Sequence, residues 1–293
     1  MKKTAILSLM IILMFSSFSR KEKYHGRFFE DFKGSSSKYF QANLRKTGSD
    51  LRYTFGAKSQ TEKGTSILSF KIDPQDPAGA GRGPEIISKK FTHFGTYAAR
   101  IKVPDVSKVQ PNVGAVVGYF TYHVDSVPGL SEIDYEWLIA DPEIIYIGTW
   151  TGLKGDLRRI GRTLNLAKGT IYNTGYKERL SGIRKPFEGL QNQPETIPAI
   201  EGYNAASQFY TYGFDWYPDR LRWWMIHPVT ADTVVLWDYK GSQLGIPQNH
   251  THYRLNFWYT KDWFVETNPN SIERPLNPYE LEIDWMSYKP LKK

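Results

Sequence analysis

The chain of 293 residues contains no cysteine. That excludes a disulfide framework, thiol chemistry and a lipid-modified N-terminal cysteine anchor. There is no GxSxG elbow, no phosphate-binding loop and no dinucleotide fingerprint. Six histidines are present. His250 and His252 share one face of an expected strand, but no third ligand has suitable spacing, so no histidine metal site is expected. Internal repeats and low-complexity segments are also absent, and no stretch sustains a 3.6-residue apolar period over three turns. The one long apolar run is N-terminal. Lys2 and Lys3, then Ala5 to Phe15, then Ser17-Phe18-Ser19 read as a secretory signal over residues 1–19. The run is too short and too sharply ended to be read as a membrane span. The expectation is export, to the medium or the periplasm, with no membrane attachment once the signal is removed.

What is abundant is aromatic and β-forming. Rings make up 15% of the residues, and nine Trp stand beside nineteen Tyr. Surplus rings of this kind line sugar-binding surfaces or interfaces once a core is filled. Short runs such as SILSFKID, GTYAARIKV, GAVVGYFTY, FYTYGFDW, TVVLWDY and LEIDWMSY are punctuated by Gly, Pro, Asn and Asp. Such spacing predicts an all-β sandwich or barrel, and the length allows one large domain or two small ones. Between about 156 and 207 the strand signals thin out, and that stretch is expected to be a long loop insertion along a rim. The formal charge is +8. Removing residues 1–19 takes away only Lys2 and Lys3, so the rest stays basic. The densest basic stretches, Lys154–Arg162 and Lys177–Lys185, are expected to be solvated loops. No helical recognition element accompanies them, so nucleic acid is not an expected partner.

The segment Ser131–Ala140, SEIDYEWLIA, stands apart. With period two it sets Glu132, Asp134 and Glu136 on one strand face and Ile133, Tyr135 and Trp137 on the other. Three carboxyls in a row repel one another and resist desolvation, so packing alone does not account for them. At least one should hold a proton near neutrality. Cα atoms four residues apart on a strand are about 13 Å apart, whereas double-displacement glycosidases hold two carboxyls about 5–5.5 Å apart. Long Glu side chains on a bent strand close most of that gap, with the shorter Asp134 between them. One ionised carboxylate beside one protonated acid is the division glycoside cleavage needs.

This segment resembles the active-site strand of glycoside hydrolase family 16, in its shorter Glu-x-Asp-x-Glu form, the lichenase and xyloglucan-active branch. Further blocks match in order: GPEIISKKFTHFGTYAARIKVP, FYTYGFDWYPDRLRWWM, YRLNFWYTKDW and LEIDWMSY. The resemblance covers most of residues 24–290 and implies a single catalytic domain there, a β-jelly roll of two curved antiparallel sheets with a concave substrate groove. It makes Glu132 the nucleophile, Asp134 its electrostatic assistant and Glu136 the general acid/base.

The same resemblance places Glu85, Tyr119, Trp150, Asn256, Trp258 and Trp263 along the groove as substrate-binding residues. Alternation independently puts Asn256 and Trp258 on one face. Trp216, Trp223 and Trp224 are assigned to core-facing strands. Asp284, in the last strand, is the implied ligand of a structural calcium ion; the chemistry itself needs no cofactor. Two departures stand out: Ile87 where lichenases commonly have Arg, and Gly148 where they have Asn. Both remove donors from one side of the groove, so the substrate need not be that of lichenases. The expected activity is that of a secreted, monomeric, endo-acting retaining β-glycanase, with mixed-linkage β-1,3-1,4-glucan the leading polysaccharide. A transglycosylase on the same scaffold and a non-catalytic glycan-binding protein remain the alternatives.

Overall fold

Period-two alternation of large apolar and polar side chains recurs along the chain, and it builds two stacked sheets. The computed structural model describes residues 24–43, 52–79, 82–127, 129–177, 184–240, 245–261, 263 and 272–292. The secretory signal expected over residues 1–19 lies outside them. The strands, in chain order, are β1 (Phe28–Glu30), β2 (Phe40–Ala42), β3 (Tyr53–Lys58), β4 (Ser66–Ile72), β5 (Glu85–Ser88) and β6 (Gly95–Lys102). There follow β7 (Ala115–Val124), β8 (Leu130–Leu138), β9 (Ile144–Gly152), β10 (Arg158–Asn165), β11 (Thr170–Lys177) and β12 (Arg184–Pro186). After a short 3-10 turn at Gly189–Gln191 come β13 (Tyr210–Tyr217), β14 (Arg220–Ile226), β15 (Thr233–Lys240), β16 (His252–Tyr259) and β17 (Tyr279–Pro290).

One sheet has eight strands, ordered β15-β14-β13-β6-β17-β4-β3 with β1 added to β17. The other has nine, ordered β12-β11-β10-β9-β8-β7-β16-β5-β2. Every strand pairing within the two sheets is antiparallel. The inner faces carry the rings. Tyr119, Tyr135, Trp137, Tyr212, Trp216, Trp223, Trp237 and Tyr253 are all fully buried between the sheets. Trp216 and Trp223 therefore lie where the sequence placed them. Trp224 does not: a bulge between Trp223 and Trp224 turns it away from the core, and its ring lies half-buried over Gly213.

The strand with the three acids sits in the middle of the nine-stranded sheet and is tied to the opposite sheet from beneath. Tyr135 Oη donates to the carbonyls of Gly213 (2.9 Å) and Trp224 (2.8 Å). Trp223 Nε1 donates to the carbonyl of Asp134 itself, at 3.2 Å. Buried Tyr and Trp need such partners, and here the partners they find fix the height and tilt of β8.

The stretch expected as a rim loop over 156–207 is for the most part structured. Its first half forms β10, β11 and β12, which extend the nine-stranded sheet. Strand propensity was masked there by Gly and charged residues. The second half closes one end of the sandwich, with Ile200, Tyr203 and Ala205 buried. Arg162 of the basic stretch KGDLRRIGR faces inward and is fully buried. It donates to the carbonyls of Pro194 and Leu236, to Asn192 Oδ1 and to Thr174 Oγ1, all within 2.8–2.9 Å. Burial pushes its pKa down to about 9, which still leaves it charged at neutral pH. The expectation of a solvated loop holds for the exposed turn at Lys154, Gly155 and Asp156 and is corrected for the rest: Arg158–Arg162 belong to β10, and one of these arginines pins the end segment to β15.

Arg162→Lys keeps the charge but cannot reach four acceptors with one ammonium. It should lower unfolding free energy by roughly 2–4 kcal/mol through carbonyls left without a donor. Urea unfolding at neutral pH measures this, and a wild-type midpoint would remove Arg162 from the role of end clamp.

Candidate active site

The outer face of the nine-stranded sheet is organised in three rows that cross the strands, one for each acid. Glu132 lies between Tyr122 and Trp150, with His252 beyond Tyr122 and Arg159 beyond Trp150. Asp134 lies between Phe120 and Gly148, followed by Gly161 on one side and by Arg254 and Ile87 on the other. Glu136 lies between Gly118 and Tyr146, with Asn256 and Glu85 beyond Gly118. The alternation read from SEIDYEWLIA is therefore realised. Ile133, Tyr135 and Trp137 are fully buried on one side, and the three carboxyls share the other.

Burial differs along the triplet. Asp134 is 4% exposed, while Glu132 and Glu136 are half-buried. Removal from water, with Glu132 and Glu136 alongside, pushes the Asp134 carboxyl well above the ordinary range; Arg159 opposes the shift. Burial raises Glu136 to about 7, again against the pull of Arg159. Asp134 is thus biased toward its protonated form, and Glu136 is divided between its two forms near neutral pH.

Arg159 is the residue sequence reading missed. It sits in β10, with its guanidinium 4.7 Å from the Tyr146 ring centroid and 4.9 Å from that of Trp150. Its Nε donates to Tyr146 Oη at 2.9 Å. The signal was present: in LRRIGRTL, period two separates Arg159 from the inward Ile160 and Arg162. Tyr146 is pushed to about 12 by burial, so it stays a phenol. Its ring lies across two glycines. A β-carbon at Gly148 or at Gly161 would come within 2.5 Å of the Tyr146 hydroxyl. Gly148 thus replaces an amide donor with space for a ring, and the ring brings Arg159 with it.

The other departure has a similar answer. Ile87 stands directly opposite Arg254 on β16, so a guanidinium absent from β5 is supplied by its neighbour. Arg254 Nη1 reaches Glu85 Oε1 at 2.8 Å and its guanidinium lies 4.9 Å from the Tyr122 ring centroid. Alternation along RLNFWY would have placed Arg254 on the face of Asn256.

The predicted groove residues divide. Trp150 is on the open face beside Glu132, half-buried, with Arg159 over its ring. Asn256 lies on the floor beside Gly118, whose missing side chain makes room for it: a β-carbon there would meet Asn256 Oδ1 at 2.4 Å. Trp258 and Trp263 meet edge to face, centroids 6.5 Å apart. Trp263 borders, with Glu136, Leu138, Asp141, Ile144 and Tyr146, a crevice too tight to admit water.

Two groove assignments are corrected. Tyr119 has inward parity on β7, is fully buried and accepts a hydrogen bond from Tyr253 Oη at 2.9 Å; Phe120 and Tyr122 take the open face instead. Glu85 is fully buried, its Oε1 held by Arg254 and by Asn43 Nδ2 at 2.8 Å, so it orients Arg254 from below the surface. The calcium expected at Asp284 does not fit the residues present. Arg100 Nη1 lies 2.6 Å from Asp284 Oδ2, and the same guanidinium binds Glu62. A protein cation already occupies that carboxylate.

Comparison with known proteins agrees with this geometry. A β-glucanase of Bacillus amyloliquefaciens is 23% identical over 274 residues, covering 90% of this chain and 87% of its own. A crystal structure of a prokaryotic β-1,3-1,4-glucanase (lichenase) from a mouse hindgut metagenome superposes with a TM-score of 0.55 at 18% identity, covering 91% of this chain and 100% of its own. The Crh5 transglycosylase shares the fold as well, with a TM-score of 0.53 at 16% identity, covering 92% of this chain and 85% of that one. The family model of glycosyl hydrolases family 16 matches residues 47–287, and the chain, a glycoside hydrolase with a jelly-roll sandwich, belongs to that family.

Proposed function

We propose that this is an exported, endo-acting β-glucan hydrolase that retains anomeric configuration, with mixed-linkage β-1,3-1,4-glucan as its leading substrate. The observation that carries the reading is the row of Glu132, Asp134 and Glu136 on the open face of the central strand of the nine-stranded sheet. In this mechanism the Glu132 carboxylate forms a bond to the anomeric carbon. The glycosidic bond breaks, and the proton of Glu136 passes to the departing oxygen. Glu136, now ionised, then takes a proton from water as that water attacks the same carbon. The Glu132–sugar ester opens and both groups return to their first state. Asp134, pushed toward its protonated form between them, can then donate a hydrogen bond rather than add a third negative charge. The substrate name of the Bacillus relative and the apolar N-terminal run support the glucan and the export; a groove open at the sheet surface suits attack within a chain. A monomer suffices, since all three acids come from one strand.

A second reading, transglycosylation, has a specific basis in Trp263. It lies against the crevice of Glu136, the group that handles both leaving and incoming oxygens, and a ring beside that acid offers a face for a sugar acceptor on the open side. Sizing the products formed with a labelled oligosaccharide acceptor separates the two.

Glu132→Gln and Glu136→Gln should each lower kcat on barley-type β-glucan by about 10²–10⁴ or more with an unchanged circular dichroism spectrum. Added azide should restore turnover to Glu132→Ala as a glycosyl azide. Near-full activity in either Gln variant would end the assignment.

The pH dependence has a defined sign. Glu136 must enter the reaction protonated, so kcat/KM should fall as pH rises through about 7. Arg159 is the cation facing it from β10, with Tyr146 from β9 and Asp134 and Glu132 on its own strand. Arg159→Gln removes the group that holds Glu136 down, and the alkaline limb should move to higher pH. An unmoved limb would contradict the assigned acid.

The same shift has a consequence for stability. The Glu136 carboxyl titrates at about 7 in the folded chain against an ordinary 4.5. Between those values the unfolded state loses the proton first, so this group destabilises the fold increasingly as pH rises through that window. Glu136→Gln should therefore raise the denaturation midpoint at pH 8 relative to wild type and change it little at pH 4. Equal shifts at both pH values would refute the burial effect.

A further inference from the structure

Away from the triplet, at the end of the sandwich, the hairpin joining β7 to β8 meets the connection joining β15 to β16. There three side chains converge that the sequence had kept apart. His123 closes β7, Asp125 follows two residues later in the turn, and His250 precedes β16. Their ligand atoms all lie within 4.8 Å of one another. His123 Nε2 is 3.0 Å from Asp125 Oδ1, and His250 Nε2 is 4.0 Å from Asp125 Oδ2. The earlier expectation looked for a third ligand along the strand of His250 and His252. The partners of His250 come instead from a hairpin more than a hundred residues away. His252 is turned elsewhere, with Nδ1 2.8 Å from the carbonyl of Ser88.

We propose that His123, Asp125 and His250 form a binding site for a divalent transition metal ion of the zinc type. Two imidazoles and one carboxylate, with no thiolate, are a donor set that zinc accepts with water in the fourth position. Tetrahedral zinc with bonds of about 2.0–2.1 Å separates its ligand atoms by about 3.3 Å. The 3.0 Å pair is already near that spacing. The wider pairs need to close by no more than about 1.5 Å, within the reach of side-chain rotation. Calcium is disfavoured, because it takes six to eight oxygens and only one carboxylate is on offer.

The groups around the three are arranged as supports. Tyr24 Oη lies 3.2 Å from His250 Nδ1, which leaves Nε2 as the nitrogen turned to Asp125. Asn249 Nδ2 donates to Asp125 Oδ2. Phe91 packs on both rings, with centroids 4.0 Å from His250 and 4.9 Å from His123, and the two imidazoles stack at 5.1 Å with 28° between their planes. The backbones are held too. Thr92 and Thr251 exchange N–H···O bonds of 2.7 and 2.9 Å, and Asp125 N donates to Gly129 O at 3.1 Å. Hydrogen-bonded second partners and fixed backbones are what orient metal ligands elsewhere. All three side chains keep part of their surface open to solvent; His250 Nε2 itself is covered, so an ion enters from the side of His123 and Asp125. Its effect would be to cross-link the hairpin that leads into the acid-bearing strand to the loop that leads into β16.

The test uses the untagged protein, stripped with a chelator and dialysed. Titration with zinc chloride should show one site per chain by calorimetry and raise the melting temperature as expected for a ligand bound only by the folded state. Calcium chloride should do neither, and cobalt(II) should give the visible bands of a four-coordinate N/O site. His250→Gln and Asp125→Asn should each abolish the saturable step while leaving glucan hydrolysis by the metal-free enzyme intact. Tyr24→Phe should weaken it about 10–100-fold. Asp125 lies in a surface turn, so its variant reports even if His250→Gln fails to fold. No saturable zinc binding, or binding that Asp125→Asn leaves unchanged, would overturn the proposal.

Discussion

The structure depends on the parity of one strand. β8 must bury Ile133, Tyr135 and Trp137 against the opposite sheet, because those rings fill the centre of the core. Period two then leaves Glu132, Asp134 and Glu136 no choice of face. A slip of one residue would drive three carboxyls into the core and three large apolar side chains into water. Burial of the inner face, worth about 1.5–3 kcal/mol for each large side chain, therefore forces the like-charge crowding on the outer one. The bonds from Tyr135 and Trp223 to the sheet below make that register harder still to change. Strain at the site is supplied by the core.

That crowding sets the chemistry. Three adjacent carboxyls can coexist only if protons are retained, and the pattern of retention follows burial. Asp134, deepest and between two acids, is pushed well above the ordinary carboxyl range; Glu136 lies near neutrality. Arg159 is the counterweight. Its cation lies across Tyr146 and Trp150 and draws both acids back toward ionisation. It does not pair with either carboxyl outright, which would fix Glu136 as a carboxylate and cost it its proton. Removal from water and an adjacent positive charge thus oppose each other across one strand spacing, and their balance leaves an acid that can both give and take a proton.

Much of this was legible in the chain. SEIDYEWLIA showed the strand, its two faces and the three acids, because alternation is local and β8 obeys it without a bulge. The short apolar runs announced a β-sandwich or barrel for the same reason, and the resemblance narrowed it to two antiparallel sheets. What was hidden depended on distant partners. Tyr119 looked like a groove ring, but its parity was set by pairing with β8 and β16, which turns Tyr119 inward and Phe120 outward. Glu85 read as a surface acid until Arg254, 169 residues later, claimed it. Asp284 read as a cation ligand, and it is one, but the cation is Arg100.

The basic stretch KGDLRRIGR shows how the same reasoning can be carried further. Judged by composition it is a charged loop. Judged by parity it is a strand whose odd position 159 faces the acids and whose even position 162 faces the core. Each arginine then has a different electrostatic task. Arg162 meets only carbonyl, amide and hydroxyl oxygens among its hydrogen-bond partners, so its charge is spread over dipoles and serves to hold the chain. Arg159 meets a phenol, an indole and the field of the triplet, so its charge acts on the protonation of the acids. Three residues of separation, an odd number, put them on opposite faces, and sequence spacing alone carries that distinction once the segment is recognised as β.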